Sequence, residues 1–380
     1  MNILTNKKIA IIGGGPGGLT LARLLQMNGL DVKVYERDTD KDARAKGATL
    51  DLHEESGLLA LREAGLMDEF KANYRPGADK LRIIDKQANI VWDDSANREE
   101  ESSRPEIDRG PLQKILLDSL QTGTVVWDSH FTSLSQQGDQ WKIVFKNGHS
   151  VIADVVIAAD GANSKIRPYI TPVKAFYSGI TIVEGAVHHS ETASPNIHKL
   201  LNGGKIFAMG DEKSLIISSK GDGSLVFYTG CKKDELWSRE CGIDFSDKAQ
   251  VIAWFKEEYP GWDNVWLELF ENAETQFVPR PQYCMPFDQN WETIPNLTML
   301  GDAAHLMPPY AGEGVNMAML DALELSKQLC NPNFPDIRSA ISAYEKQMLK
   351  RASEVAAITM ESTASLHSEN AILFLMEVIG

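Results

Sequence analysis

The sequence predicts an α/β protein: a parallel nucleotide-binding sheet, a β-rich insert and a long closing helix. Three observations carry that expectation. An apolar strand runs into a glycine-rich turn near the N-terminus, a second strand-to-glycine turn recurs near residue 300, and the chain from Gly179 to Cys231 is dense in strand-forming residues. β-α-β patterning at both ends of the main body, with a β-rich middle, describes a nucleotide domain carrying a second domain.

The opening segment, "KKIAIIGGGPGGLTLARLLQMNGLDVKVYERD", reads as strand, turn, helix, strand. "IAII" has the unbroken apolar character of a strand buried on both faces. Gly13, Gly15 and Gly18 form G-x-G-x-x-G. The first permits a tight turn, the second lets a pyrophosphate reach the backbone, and the third lets helix and sheet pack closely. Leu21, Ala22, Leu24 and Leu25 give the helix its apolar face, and Gly29 stands where it would end. Glu36 closes the second strand about 20 residues past the glycines, placed to accept from an adenosine ribose and to disfavour a 2′-phosphate. This Rossmann-like unit predicts a dinucleotide, NAD or FAD, on the helix N-terminus.

Further along, "SGLLALREAGLMDEF" predicts a helix and "KLRIIDKQANIVWDD" a hairpin. "EIDRGPLQKILLDSL" predicts a helix with Asp108 as its cap and Pro111 in its first turn. "TVVWD", "WKIVFKNGHSV" and "ADVVIAADGANSKIR" read as strands, the last ending at Asp160-Gly161. The β-rich insert is followed by the helical "DKAQVIAWFKEEY". "IRSAISAYEKQMLKRASEVAAITMES" predicts a helix of roughly 30 residues, ~45 Å long, enough to cross two domains. "AILFLMEVIG" is too short to span a bilayer and is expected to pack near the domain junction, beside the substrate entrance.

The second glycine turn, "LGDAAHLMPPYAGEGVNMAMLDA", separates NAD from FAD. A strand ending at Gly301-Asp302 sets a carboxylate at the carboxyl edge of the sheet, suited to a sugar-alcohol chain such as ribityl. Gly312 and Gly314 permit backbone to touch a flat ring, and the following helix aims its N-terminus at negative charge on a reduced flavin. Pro308 and Pro309 hold the loop without N–H partners. An ordinary β-α turn is the competing reading. His305 reads as structural, with no Ser or Asp partner identifiable for it, and His188-His189 lack further ligands at metal spacing, so no metal is expected.

Charge and composition narrow the function classes. The 380 residues carry a formal charge of −15, which argues against nucleic acid and anionic membranes as partners. Four cysteines without a C-x-x-C pair predict neither a disulfide framework nor zinc, and fit a reducing cytoplasm. No signal peptide is expected, because "MNILTNKK" leads directly into a strand. The basic cluster Arg37, Lys41, Arg44 and Lys46 suits a solvated loop or an anion site equally well.

Three stretches together, "GGGPGGL" with "YER", "DGANSKIR" and "GDAAHLMPPYAGEGVN", resemble the fingerprints of the class A flavoprotein monooxygenases, the para-hydroxybenzoate hydroxylase fold. "ARAKGATLDLH" and "PEIDRGPL" make the chain most similar to the tetracycline-inactivating members. The resemblance implies a FAD-binding domain from residues 1–78, 104–175 and 272–332, a substrate domain from 79–103 and 176–271, and a C-terminal helical segment from 333–380. It implies noncovalent FAD, NADPH as reductant, and oxygen transfer from a flavin C4a-hydroperoxide to an electron-rich carbon of a phenol or enol, with no catalytic side chain required. Gly13, Gly15, Gly18, Glu36, Arg37, Asp51, Arg109, Asp160, Asp302, Gly312, Gly314, Val315 and Asn316 would meet FAD, and Arg44 matches the position linked to NADPH. Lys199, Val226, Pro309, Tyr310 and Gly312 would meet the substrate. Lys199 and Val226 stand where the tetracycline-inactivating enzymes carry Gln and His, and Tyr310 replaces a Phe. The implied activity is hydroxylation of a tetracycline-like polyketide by a monomeric enzyme. A smaller phenolic or other polyketide substrate, or a flavoprotein that only sequesters its ligand, is the alternative.

Overall fold

The computed structural model describes residues 3–43, 49–94, 104–274 and 276–379. Arg44 and Lys46 lie outside them. A five-stranded parallel sheet runs in the order Leu297–Met299, Val155–Ala158, Ile9–Ile12, Val32–Tyr35, Val125–Val126. "IAII" and "VVIA" are buried at every position, as continuous apolar strands should be. An antiparallel three-stranded sheet spanning 131–153 joins the same core, with Phe145 stacked 5.0 Å from Tyr35. The helices Pro16–Met27 and Gly314–Cys330 pack against one another within it.

The second sheet has seven strands among the described residues, in the order Val278–Cys284, Phe176–Val187, Leu225–Lys232, Lys213–Ser219, Lys205–Gly210, Leu81–Asp85, Ile90–Asp93. One face carries Val183, Phe227, Leu215, Ile217 and Ile206 into a core covered by the helices Pro195–Leu201, Lys248–Glu258 and Leu267–Glu271. The opposite face looks toward the C-terminal helices.

Several local expectations resolve differently. The stretch after Ser56 forms two helices, Gly57–Glu63 and Met67–Asn73, because Gly65 at φ +68° ends the first. Glu106–Asp108 is a strand paired with Thr49–Asp51, and the helix begins only at Arg109. Asp108 does not cap that helix; its Oδ2 accepts from Gly221 N at 2.9 Å and its Oδ1 faces Arg75. Val278–Cys284, expected within the nucleotide domain, pairs with Phe176–Val187 in the larger sheet. Pro279 and Pro281 mask it as a strand in the sequence, yet an edge strand tolerates residues that cannot donate.

The long helix spans Ile337–Leu366 and links both sheets. Asp336 caps it by accepting from Ser339 N at 2.8 Å. Tyr344, Met348, Ala352 and Ala356 recur every four residues as its buried stripe. The Tyr344 hydroxyl donates to Met299 O at 3.1 Å, fixing the helix to the last strand of the parallel sheet. Replacing Tyr344 with Phe removes that bond inside a fully buried contact. A loss of about 1–2 kcal/mol is expected, read as a lower urea midpoint at unchanged m-value.

Candidate functional site

The site is assembled where the parallel sheet ends. Gly13 has φ +114°, and a Cβ there would lie 2.1 Å from Ala159 O, so only glycine fits. At Gly15 a Cβ would meet nothing within 4 Å: the loop leaves open space above the first turn of the Pro16–Met27 helix, whose leading N–H groups lack intrahelical partners. Glu36 is buried; its Oε2 accepts from Gly14 N at 2.6 Å and its Oε1 from Asp38 N at 3.1 Å. Arg37 is exposed beside it.

Asp160 follows the neighbouring strand. Its Oδ2 accepts from Lys165 N at 2.8 Å, while its buried Oδ1 has no hydrogen-bond partner among the described residues. Burial pushes this carboxyl above its ordinary pKa, so a donor from outside the chain would satisfy it. Asp302 follows Gly301, which sits at φ +60°. Burial also raises the Asp302 pKa, against the opposing pull of His305 and Arg109. The open cradle at Gly15, the orphaned Asp160 oxygen and the half-buried Asp302 carboxyl all suit FAD: an anion at one end and hydroxyl donors along the chain between pyrophosphate and ring.

The turn that presents Asp302 is held from behind. Gly301 N and His305 Nε2 both meet Asp321 Oδ2, at 2.8 and 2.6 Å, and Arg351 donates to Asp321 Oδ1 at 2.7 Å. Asp321 raises the pKa of His305 despite burial, and His305 in turn depresses that of Asp321. His305 is therefore structural, and its partner lies 16 residues on, across the whole glycine loop. Arg167 fastens the other side: its guanidinium donates to Ala303 O at 3.0 Å, Ala304 O at 2.8 Å and Gln289 Oε1 at 2.6 Å.

The Thr49–Asp51 strand closes the loop from the front. Asn316 Oδ1 accepts from His53 N at 2.9 Å, and its Nδ2 donates to Asp51 O at 2.9 Å and Gly312 O at 3.2 Å. The side chain of Asn316 is thus engaged within the protein. Gly312, at φ +70°, stands where a Cβ would lie 3.0 Å from Asp51 Oδ2. His53 meets Asp51 Oδ2 at 3.2 Å and Glu313 Oε1 at 3.6 Å. Burial pushes the Asp51 carboxyl upward, but His53 and Lys205 outweigh it and leave its pKa lowered. Gly314 begins the 17-residue helix, with Val315 half-buried beside it.

Across from this loop lies a row of side chains on the seven-stranded sheet. Register places Glu184, Tyr228, Ile216, Phe207, Ile83 and Trp92 side by side on one face. Polarity falls along the row, from the Glu184–Arg280 ion pair through a phenol to aliphatic and aromatic carbon. Tyr228 has its pKa raised by burial, so it remains a donor; Arg109, at the first turn of its helix, is within electrostatic reach of both Tyr228 and Asp302. Val226 is buried on the same face two residues away. Lys199 is not brought here: it is exposed on Pro195–Leu201, the helix covering the opposite face. Tyr228 escaped the sequence reading, although its two-residue spacing from Val226 carried the signal.

The terminal helix Ala371–Ile379 roofs the apolar end of the row, with Leu375 and Ala371 packed against Ile83 and Met209. Two surface clefts, of about 370 and 360 Å³, open elsewhere, beside Trp291 and beside Met27. Between roof and loop, His367 is buried, and burial depresses its pKa to about 4.

Comparison with known proteins agrees with this geometry. The family described as the FAD binding domain matches residues 6–211 and 293–359. Monooxygenase asqM of Emericella nidulans is 27% identical over 430 residues, covering 96% of each chain. The crystal structure of a putative FAD containing monooxygenase from Photorhabdus luminescens superposes with a TM-score of 0.80 at 25% identity, covering 95% of this chain and 98% of the other. The tetracycline destructase Tet(55) shares the fold, with a TM-score of 0.76 at 22% identity, covering 96% and 90%.

His367 makes the stability of the fold depend on pH. Its folded pKa, about 4, lies below the ordinary histidine value, so the unfolded chain binds the extra proton first. Its stabilising contribution is complete above pH ~6.5 and declines by roughly 3 kcal/mol as pH falls toward the folded value. Urea midpoints at several pH values between 7 and 4 should fall more steeply for the wild type than for His367→Gln.

Proposed function

We propose, for a chain that belongs to the FAD binding domain family and is a class A flavin-dependent monooxygenase, that it uses NADPH and O₂ to hydroxylate a tetracycline-like polyketide and so inactivates it. The observation that carries this reading is the polarity-graded row packed beside Tyr310 of the glycine loop, with Arg109 in electrostatic reach of Tyr228. An elongated, flat substrate with oxygens along one edge would lie on it, its oxygenated edge toward Tyr228 and its carbocyclic body over Ile216 and Phe207.

FAD, when bound, supplies the electron transfer and the oxygen activation. The residues of the chain bind, orient and exclude water. Gly13, Gly15 and Gly18 would shape the pyrophosphate site, with Glu36 and Arg37 at the adenosine end. Asp160, Asp51, Arg109 and Asp302 would hold the chain between pyrophosphate and ring. Gly312, Gly314, Val315 and Asn316 would offer backbone to the ring, Asn316 through its N–H because its amide is engaged elsewhere. The Tyr228 hydroxyl and the Arg109 guanidinium would hold an enol or phenol oxygen of the substrate, concentrating electron density on the ring carbon that accepts oxygen. Val226, Pro309 and Tyr310 would complete the walls. The terminal helix keeps the apolar end dry.

A smaller phenol is the second reading. The same helix already covers Ile83 and Met209, which leaves the polar half of the row as the more open part.

One assay separates these readings. The yellow protein is mixed with NADPH and air in the presence of tetracyclines and phenols, and the products are followed by mass. Substrate-stimulated NADPH oxidation with a product heavier by one oxygen atom is expected for a tetracycline. Stimulation by phenols alone selects the second reading, and tight binding without turnover selects a sequestering protein. Asp302→Ala should weaken FAD uptake by the apo-protein about tenfold or more in a fluorescence titration; unchanged uptake removes Asp302 from the cofactor site.

A further inference from the structure

We propose that His367 is a positioning residue for the flavin loop: its imidazole tethers the Tyr310 hydroxyl and thereby fixes the backbone of residues 309–312. His367 closes the C-terminal end of the long helix, far in sequence from that loop. Its Nδ1 lies 2.8 Å from Thr363 O. A carbonyl only accepts, so Nδ1 carries the proton, and in the neutral ring Nε2 is left as an acceptor. Two hydroxyls meet that nitrogen: Ser214 Oγ at 3.2 Å and the Tyr310 hydroxyl at 3.4 Å. The Tyr310 and His367 rings cross edge to face, centroids 5.0 Å apart.

The third observation is a missing side chain. Gly230, on the strand below, is placed so that a Cβ would fall 2.3 Å from Ser214 Oγ, 2.6 Å from His367 Nε2 and 2.7 Å from the Tyr310 hydroxyl. The sheet leaves that position bare where polar groups from the flavin loop, the sheet and the long helix converge. Burial raises the Tyr310 pKa, so the phenol stays protonated and donates. Tyr259 and Lys232 complete the surroundings: the Tyr259 hydroxyl donates to Gly230 O at 3.1 Å, and the Lys232 charge opposes protonation of His367.

Tyr310 lies in the short 3-10 helix Pro309–Ala311, which ends at Gly312, whose carbonyl accepts from Asn316. Moving the phenol therefore moves backbone assigned above to the flavin ring. A phenylalanine at 310 would pack but could not be tethered, which accounts for the tyrosine in this chain. The inference rests on the proposal that FAD occupies this loop.

The test uses Tyr310→Phe, His367→Phe, the double variant and His367→Gln. The readouts are FAD affinity of the apo-protein by fluorescence and the visible spectrum of bound flavin. Each single Phe variant should weaken FAD about three- to tenfold, the effect of one neutral hydrogen bond, and shift the spectrum in the same sense. The double variant should be no worse than either single one, and His367→Gln, which keeps an acceptor, should recover part of the loss. Wild-type affinity and spectrum in both single variants, even with lowered Tm, overturn the tether and leave a purely structural contact. So does a double variant whose loss is the product of the two. A wild-type protein that takes up no FAD overturns the underlying reading and the tether with it; Tyr310→Phe matching a wild type that does bind FAD overturns the tether alone.

Discussion

One buried carboxylate organises the site. Asp321 sits fully enclosed in the helix that follows the glycine loop, yet it reaches Gly301 N on the sheet-end turn, His305 on the short helix after it, and Arg351 on the long helix. A charge in such a place is tolerable only when its partners satisfy it, and here three chain segments do so at once. Gly301 can then keep its left-handed conformation, Asp302 can face outward, and the glycine loop between residues 302 and 314 spans two fixed ends. Removing the carboxylate would leave His305 buried without its partner and Gly301 N without an acceptor, while Arg351 would keep only Glu324.

The parts of this arrangement that were legible in the sequence are those set by local backbone geometry. G-x-G-x-x-G at residues 13–18 and Gly301-Asp302 announce themselves because few residues other than glycine satisfy φ +114° or φ +60° at such turns. The long helix was legible from its four-residue apolar period. What stayed hidden depends on register between distant strands or on contacts across a loop. Asp321 is invisible as the partner of His305 because the intervening loop doubles back. Tyr228 becomes a site residue only when the pairing with Glu184 and Ile216 is known. Lys199 looked like a neighbour of Val226 in the β-rich insert, but the short helix carrying it turns the chain to the far face of the sheet.

The two faces of the seven-stranded sheet divide labour. The outer face is an aromatic core in which Phe227, Phe255, Phe270 and Phe277 lie with ring centroids 4.3–6.3 Å apart. Such packing resists deformation and keeps the strands in register. The inner face can therefore vary in polarity along one row without loss of geometry. Side chains there are held by the backbone beneath them, so the row can change its chemistry while the loop opposite retains its glycines.

The parallel sheet also has a history written into its connectivity. Its strand Leu297–Met299 pairs with Val155–Ala158, so five strands of the seven-stranded sheet, all but Leu81–Asp85 and Ile90–Asp93, are threaded between two adjacent strands of the first. A ribosome delivering this chain exposes the edge at Val155–Ala158 well before its mate emerges. Until then that apolar edge is a site for mispairing, and loop closure over some 140 residues comes late. Closing the parallel sheet across so long a loop is slower than forming local contacts, and it follows from placing Asp302 just past a strand so distant in sequence from Gly13.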